Sequence, residues 1–296
     1  MPVLSIIACE MLEDELVYVF SKDLNSNQLI IIENRQSFRF VRKLKARNCR
    51  FGLFPLEKVP SVLEGMHNSL SLKILNFLSK KEKNRERITV VVNILRFGLH
   101  ADCEILKSEV YKNLEEMAAF SDGVLIFYGK CGDSLKNLEL DFKDNNCSLY
   151  FLKDKNGDIA DDCISVALGG NDTYAKVLNG ENGASIFLTP MWASNWKEIK
   201  RESTSTSESA STFKSASTSD FDEHFLKSSF YNKVIKISNE ISKGEEFDKN
   251  VLNFARNFNM NILEMEGSME IARKSYLDAR NDLCTKPHNF TSSKPP

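Results

Sequence analysis

Three nearly unbroken runs of branched apolar residues limit this chain more than any other feature. They are Val3–Ala8, Ile88–Ile94 with Val90, Val91 and Val92 in succession, and Gly123–Tyr128. A strand with one wet face alternates apolar and polar residues. A strand that is apolar at successive positions needs cover on both faces, which is the condition of a parallel sheet between two helical layers. Shorter strand patterns recur at Leu29–Ile32, Leu149–Leu152, Ala184–Leu188, Val234–Ile237 and Asn261–Met265. Helical spacing falls between them: Leu12, Leu16, Val19 and Phe20 behind an acidic first turn, then Ser37–Ala46, Leu70–Leu78, Asp102–Ala119, Asp161–Leu168, Asp172–Leu178, Phe247–Asn257 and Met269–Asp282. Pro190 fits the first position of a further helix. Between positions 47 and 87 the pattern weakens, because Pro55 and Pro60 interrupt it and Lys80–Arg87 reads as a charged loop.

Strands alternating with helices predict an α/β fold: a mostly parallel sheet with helices on both faces, in Rossmann-like layers. Between 201 and 220, twelve of twenty residues are Ser or Thr and apolar residues nearly vanish. Such a segment cannot bury enough surface to order itself. The expected organisation is therefore a main α/β domain over 1–200 and a disordered Ser/Thr-rich linker over 201–222. A small C-terminal βαβα segment over 223–285, completing the main domain or packing on it, and a disordered tail over 286–296 follow.

With 42% hydrophobic residues the chain can build a core, and its net charge of -2 gives no general attraction to nucleic acid or to an anionic membrane. No apolar run is long enough to span a bilayer. The first residues lack a basic stretch, and Glu10, Glu13, Asp14 and Glu15 follow at once, which argues against a signal peptide. A cytoplasmic location is expected, with neither nucleic acid nor membrane as partner. Oligomeric state is not legible. The seven cysteines are odd in number and widely spaced, so they read as reduced thiols.

Ligands of open parallel sheets bind at the carboxyl ends of strands. Cys9 ends the first strand, His100 lies just beyond Ile88–Ile94, Cys131 follows Gly123–Tyr128, and Cys163 begins a helix. Three thiols and one imidazole match a tetrahedral zinc site. Three thiolates alone can hold a [4Fe–4S] cluster with one iron open. A thiol nucleophile or redox pair is the third reading, and plain packing of small buried residues the fourth. Cys103, close to His100 in sequence, is a reserve ligand. Glu10 and Asp162 stand beside the candidate ligands. Gly129 and Gly132 permit close backbone approach of a cofactor around Cys131, and Gly169-Gly170 can cradle an anion or, more simply, stop one helix before the next. No Gly-x-Gly-x-x-Gly, P-loop or Gly-x-Ser-x-Gly occurs. Trp192 and Trp196 share one helix face, for packing or for walling a flat cofactor.

The motifs Ile7-Ala8-Cys9-Glu10, Gly98-Leu99-His100, Tyr128-Gly129-Lys130-Cys131-Gly132, Asp162-Cys163-Ile164 with Leu168-Gly169-Gly170 and Tyr174, and Phe187-Leu188-Thr189-Pro190-Met191-Trp192 occur in that order. Together they resemble the family known as domain of unknown function 1638, from Ile6 to about Trp196 and more weakly in the C-terminal segment. The resemblance carries no established activity. It places the family's Cys and His motifs on Cys9, His100, Cys131 and Cys163. Because some archaeal and bacterial members are encoded near corrinoid-dependent methyltransferases for methylated amines, it also implies a link to methyl-group metabolism, with a corrinoid protein or methyltransferase as partner. The sequence departs from the family pattern before Cys163, where the usual Arg is missing and Asp161 stands in place of a His. Cys103 replaces a Pro after His100, and the Ser/Thr tract reads as an insertion.

Overall fold

A computed structural model of the chain describes residues 1–23, 28–68, 87–132, 134–143, 147–179, 184–205, 231–242 and 244–285. The helix expected over Leu70–Leu78, nearly all of the charged loop after it, and the C-terminal tail lie outside these residues. So does the Ser/Thr tract beyond Ser205.

Among the described residues, nine strands form two parallel sheets. The first contains β1 (Val3–Cys9), β2 (Gln28–Ile32), β3 (Gly52–Phe54), β4 (Thr89–Leu95), β5 (Gly123–Phe127) and β6 (Ser148–Phe151), in the order β3-β2-β4-β1-β5-β6. Every neighbouring pair in it is parallel. The second sheet contains β7 (Ala184–Leu188), β8 (Tyr231–Ser238) and β9 (Asn261–Glu266), in that order and also parallel. The strands that follow the Ser/Thr tract thus join β7, with β8 in the middle, and do not extend the first sheet.

The central strands are buried at every position, as their unbroken apolar runs require. Each strand splits its side chains between two layers because successive Cβ atoms point to opposite faces. On β1, Leu4, Ile6 and Ala8 join a core closed by α1 (Glu13–Lys22), α2 (Ser37–Ala46) and the C-terminal helix α10 (Glu270–Thr285). Val3, Ile7 and Cys9 point the other way, into a core closed by α3 (Val59–Asn68) and α4 (Cys103–Ala118). Short helices α5 (Leu138–Asp141), α6 (Cys163–Leu168) and α7 (Asn171–Leu178) lead on to α8 (Pro190–Ser205), which overlaps the first residues of the expected linker. In the second sheet, α8 and α9 (Glu245–Phe258) pack together, with Trp196 edge-on to Phe254 and Phe258. Trp196 therefore serves packing.

The weakly patterned stretch hides an edge strand and a helix. Pro60 does not break α3, because it sits in the first turn, where its missing N–H has no partner to lose. β3 is only three residues long and half-buried, too short for a periodic signal. Among the described residues, no helix is long and apolar enough to cross a membrane.

Candidate functional site

The chain leaves β1 for β2 on one side of it and leaves β5 for β6 on the other. Connections that part in this way leave a crevice beyond the carboxyl ends of the two strands. Ala8 and Phe127 are the last paired residues of β1 and β5. One step further along each strand, Cys9 and Tyr128 stand side by side on the α4 face, in the same apolar layer. Burial pushes the Cys9 thiol up to about 12, and the Tyr128 hydroxyl lies against it.

Two loops bring the other thiols to this place. The backbone N–H groups of Lys130 and Cys131 donate to the carbonyls of Ala160 and Asp161, both at 2.8 Å, and Lys130 Nζ pairs with Asp161 Oδ1 at 2.9 Å. The loops meet so closely that a Cβ on Gly129 would stand 2.5 Å from Asp162 Cα. Only glycine fits there. Asn171 braces the second loop: its Oδ1 accepts from the Asp161 N–H and the Ser165 hydroxyl, and its Nδ2 donates to the Ile159 carbonyl. Asp162 caps α6 by accepting from Ser165 N–H at 2.7 Å, which fixes the turn that presents Cys163. Cys131 itself has φ +48°, a left-handed conformation rare for a side chain of this kind and concentrated at functional sites.

Cys9, Cys131 and Cys163 thus lie near one another beyond these strands, close enough that Cys9 opposes ionisation of Cys131, and both oppose that of Cys163. Burial, then the Cys9 thiol, then Asp162 hold the Cys131 thiol well above its ordinary range. Burial, then Asp162, then Cys9 and Cys131 do the same for Cys163. Neutral buried thiols are poor nucleophiles, so the geometry does not favour the thiol-nucleophile reading. Cys103, exposed at the start of α4, lies within electrostatic reach of Cys131. The backbone of His100 lies in the 3-10 turn Phe97–Ala101 beyond β4, and its side chain is outside the described residues. Among the described residues, no three His, Cys, Asp or Glu side chains stand in a ready-made coordination arrangement.

The four glycines differ. Gly129 is filled by the Asp162 backbone, Gly169 ends α6 with φ +84° against Ser268, and Gly170, with φ +138°, lies against Asp154. Gly132, φ +69°, alone of the four faces open space. The Gly170 N–H donates to the Ser165 carbonyl at 2.9 Å, closing the turn between α6 and α7. Trp192 is half-buried where three apolar clusters meet, beside Cys163.

Sequence reasoning missed two side chains in this neighbourhood. Glu15 is buried in the first turn of α1, lies within electrostatic reach of Cys163, and is pushed up to about 8 by burial and by Asp14 beside it. Its acidic run reads as a solvated helix start, so nothing in the sequence marks it. Its neighbours Glu13 and Asp14 are held by Lys43 of α2, at 2.7 and 2.5 Å. Tyr128 is 2% exposed, and its hydroxyl meets the Cys9 thiol. The signal was present: one phenol closing an otherwise apolar strand.

A family model described as "Protein of unknown function (DUF1638)" matches residues 94–276, more than half of the chain, and takes in His100, Cys131 and Cys163. No curated protein and no solved structure matches the chain.

Proposed function

We propose, for a chain that belongs to the DUF1638 family, that the crevice beyond β1 and β5 takes a thiophilic metal centre, zinc or an iron–sulfur cluster, on Cys9, Cys131 and Cys163. His100 serves as fourth ligand or proton carrier. The observation that carries this reading is the convergence of three thiols from three separate chain segments, at the cost of a left-handed Cys131 and a glycine pressed on the Asp162 backbone. Thiolates suit zinc and iron–sulfur centres. Burial keeps all three thiols neutral, and a bound cation reverses that by deprotonating its ligands. The described side chains do not stand as a finished set, so binding would have to draw the thiols together. Were Cys9, Cys131 and Cys163 to hold the centre and His100 to act as proton carrier, the fourth position would stay open to a substrate atom, which the metal would polarise. Asp162 fixes the turn carrying Cys163, Glu10 accepts from the Phe97 N–H at 3.4 Å, and Glu15 holds a proton beside Cys163 at neutral pH. A role in methyl-group metabolism, beside a corrinoid protein or methyltransferase, belongs to the same proposal and rests on gene neighbourhood alone.

The test is metal and sulfide analysis of anaerobically purified protein with its absorbance spectrum. Iron with sulfide supports the cluster, and zinc at one per chain supports the mononuclear site. Cys131→Ser is expected to lose either.

A second reading takes the cysteines as packing residues of a non-enzymatic, partner-binding protein. It is favoured by the neutral thiols and by the lack of a ready-made coordination set among the described residues. Metal-free protein whose melting temperature is unchanged by Cys131→Ser decides for it.

A further inference from the structure

β3 begins late. Its first residue, Gly52, pairs with Ile30, so Gln28 and Leu29 at the start of β2 have no β3 residue paired beside them. The chain coming from α2 turns instead through Asn48, left-handed with φ +57°, which sets Arg47 and Arg50 around the turn. A cavity of about 670 Å³ opens at this edge, a size that suits a small-molecule ligand. It lies at the amino ends of β2, β3 and β4, so the sheet separates it from the cysteine crevice.

The lining defines what would fill it. Phe20, Leu29, Phe51 and Met66 supply apolar wall. Arg47 and Arg50 also line it; both are exposed, and neither stands in an ion pair among the described residues. The acid on the wall, Asp23, is already engaged by Tyr276 and Arg280. The positive charge of the cavity is therefore uncommitted and its negative charge is not. Gln28 Oε1 is buried and accepts no hydrogen bond among the described residues. A buried acceptor in that condition destabilises the fold until a donor reaches it.

We propose that this cavity binds a small organic carboxylate that carries an apolar body and an N–H or O–H group. The carboxylate pairs with Arg47 and Arg50, whose forked N–H donors match its two oxygens. The N–H or O–H donates to Gln28 Oε1, and the apolar body lies along the Phe20, Leu29 and Phe51 wall. The proposal is independent of any metal centre at the cysteines.

The probe is N-decanoylglycine, titrated calorimetrically into the full chain below its micellar concentration, beside its uncharged methyl ester. Saturable binding of one molecule per chain is expected, with the ester about 10- to 100-fold weaker. The double variant Arg47→Gln, Arg50→Gln is expected to weaken the acid by the same factor and to leave the ester unchanged, which also shows that the cavity survives the exchange. Cys49 lines the cavity, whereas Cys103 is exposed on α4. Bound probe therefore slows alkylation of Cys49 by iodoacetamide and leaves that of Cys103 unchanged, read by peptide mass spectrometry. The proposal is overturned by absence of saturable binding, by equal affinity for acid and ester, by a double variant that binds the acid as well as the natural chain, or by Cys49 left unprotected.

Discussion

At the scale of single residues, the crevice is built from choices that local preference opposes. Gly129 has neither helix nor strand to favour it; it is required because the Asp162 backbone occupies the space of a Cβ, with Asp162 N at 2.6 Å. Gly129→Ala is expected to destabilise the chain by about 1–3 kcal/mol, as overpacking does, read as a lower urea midpoint. Glu15 is the second such choice. Burial keeps its carboxyl protonated up to about 8, whereas in the unfolded chain it ionises near 4.3. Between those values the folded chain holds the extra proton. Stability from this group is therefore full below about pH 4 and declines as pH rises to about 8, by on the order of 3–5 kcal/mol at most. Glu15→Gln is expected to flatten that decline. Denaturant midpoints measured from pH 5 to 8 check it, and an unchanged slope would refute it.

Elements are held by a few long-range pins. Lys43 on α2 reaches the buried Glu13 and Asp14 at the start of α1. Arg39, one turn earlier, donates to Asn195 Oδ1 on α8 at 2.7 Å. In this way α8, which carries Met191 and Trp192 beside the crevice, is tied to the helix that follows Cys9. In the second sheet the pin is aromatic. Trp196 sits with its ring centroid 5.4 Å from Phe254 and 5.6 Å from Phe258. Trp196→Ala empties the centre of that cluster and is expected to cost about 3–5 kcal/mol. Hydrogen exchange is expected to rise first in β7, β8 and α9, with β1, β4 and β5 still protected.

For the whole molecule, the order of the chain and the order of the layers differ. The chain finishes the second sheet and then returns, through α10, to the first. There Ala272, Tyr276, Ala279 and Leu283 cover the face of β1 and β5 opposite α4. Tyr276 donates to Asp23 at the end of α1, and Arg280 pairs with the same carboxylate at 3.3 Å. Without α10 the part of that face over β1 and β5 loses its apolar cover, against the condition that the strands impose. A chain ended at Gly267 is expected to lose its sharp cooperative transition in near-ultraviolet circular dichroism and to bind hydrophobic dyes. A truncated chain that melts within a few degrees of the natural one would show that this cover is dispensable.

The sequence by itself determined the covered parallel sheet, since unbroken runs such as Val90, Val91 and Val92 admit no wet face. It also determined the positions of Cys9 and Cys131 at or just beyond strand ends and of Cys163 at a helix start, because these periods are local. Tertiary structure alone decided which strands become neighbours, that β7 to β9 stand apart as a second sheet, and that Gly129 must lie on Asp162. It alone decided that Glu15 is buried and that Tyr128 points its hydroxyl at Cys9. Those outcomes arise from contacts between residues far apart in the chain, and side-chain periodicity records the face a residue occupies without recording what meets it there.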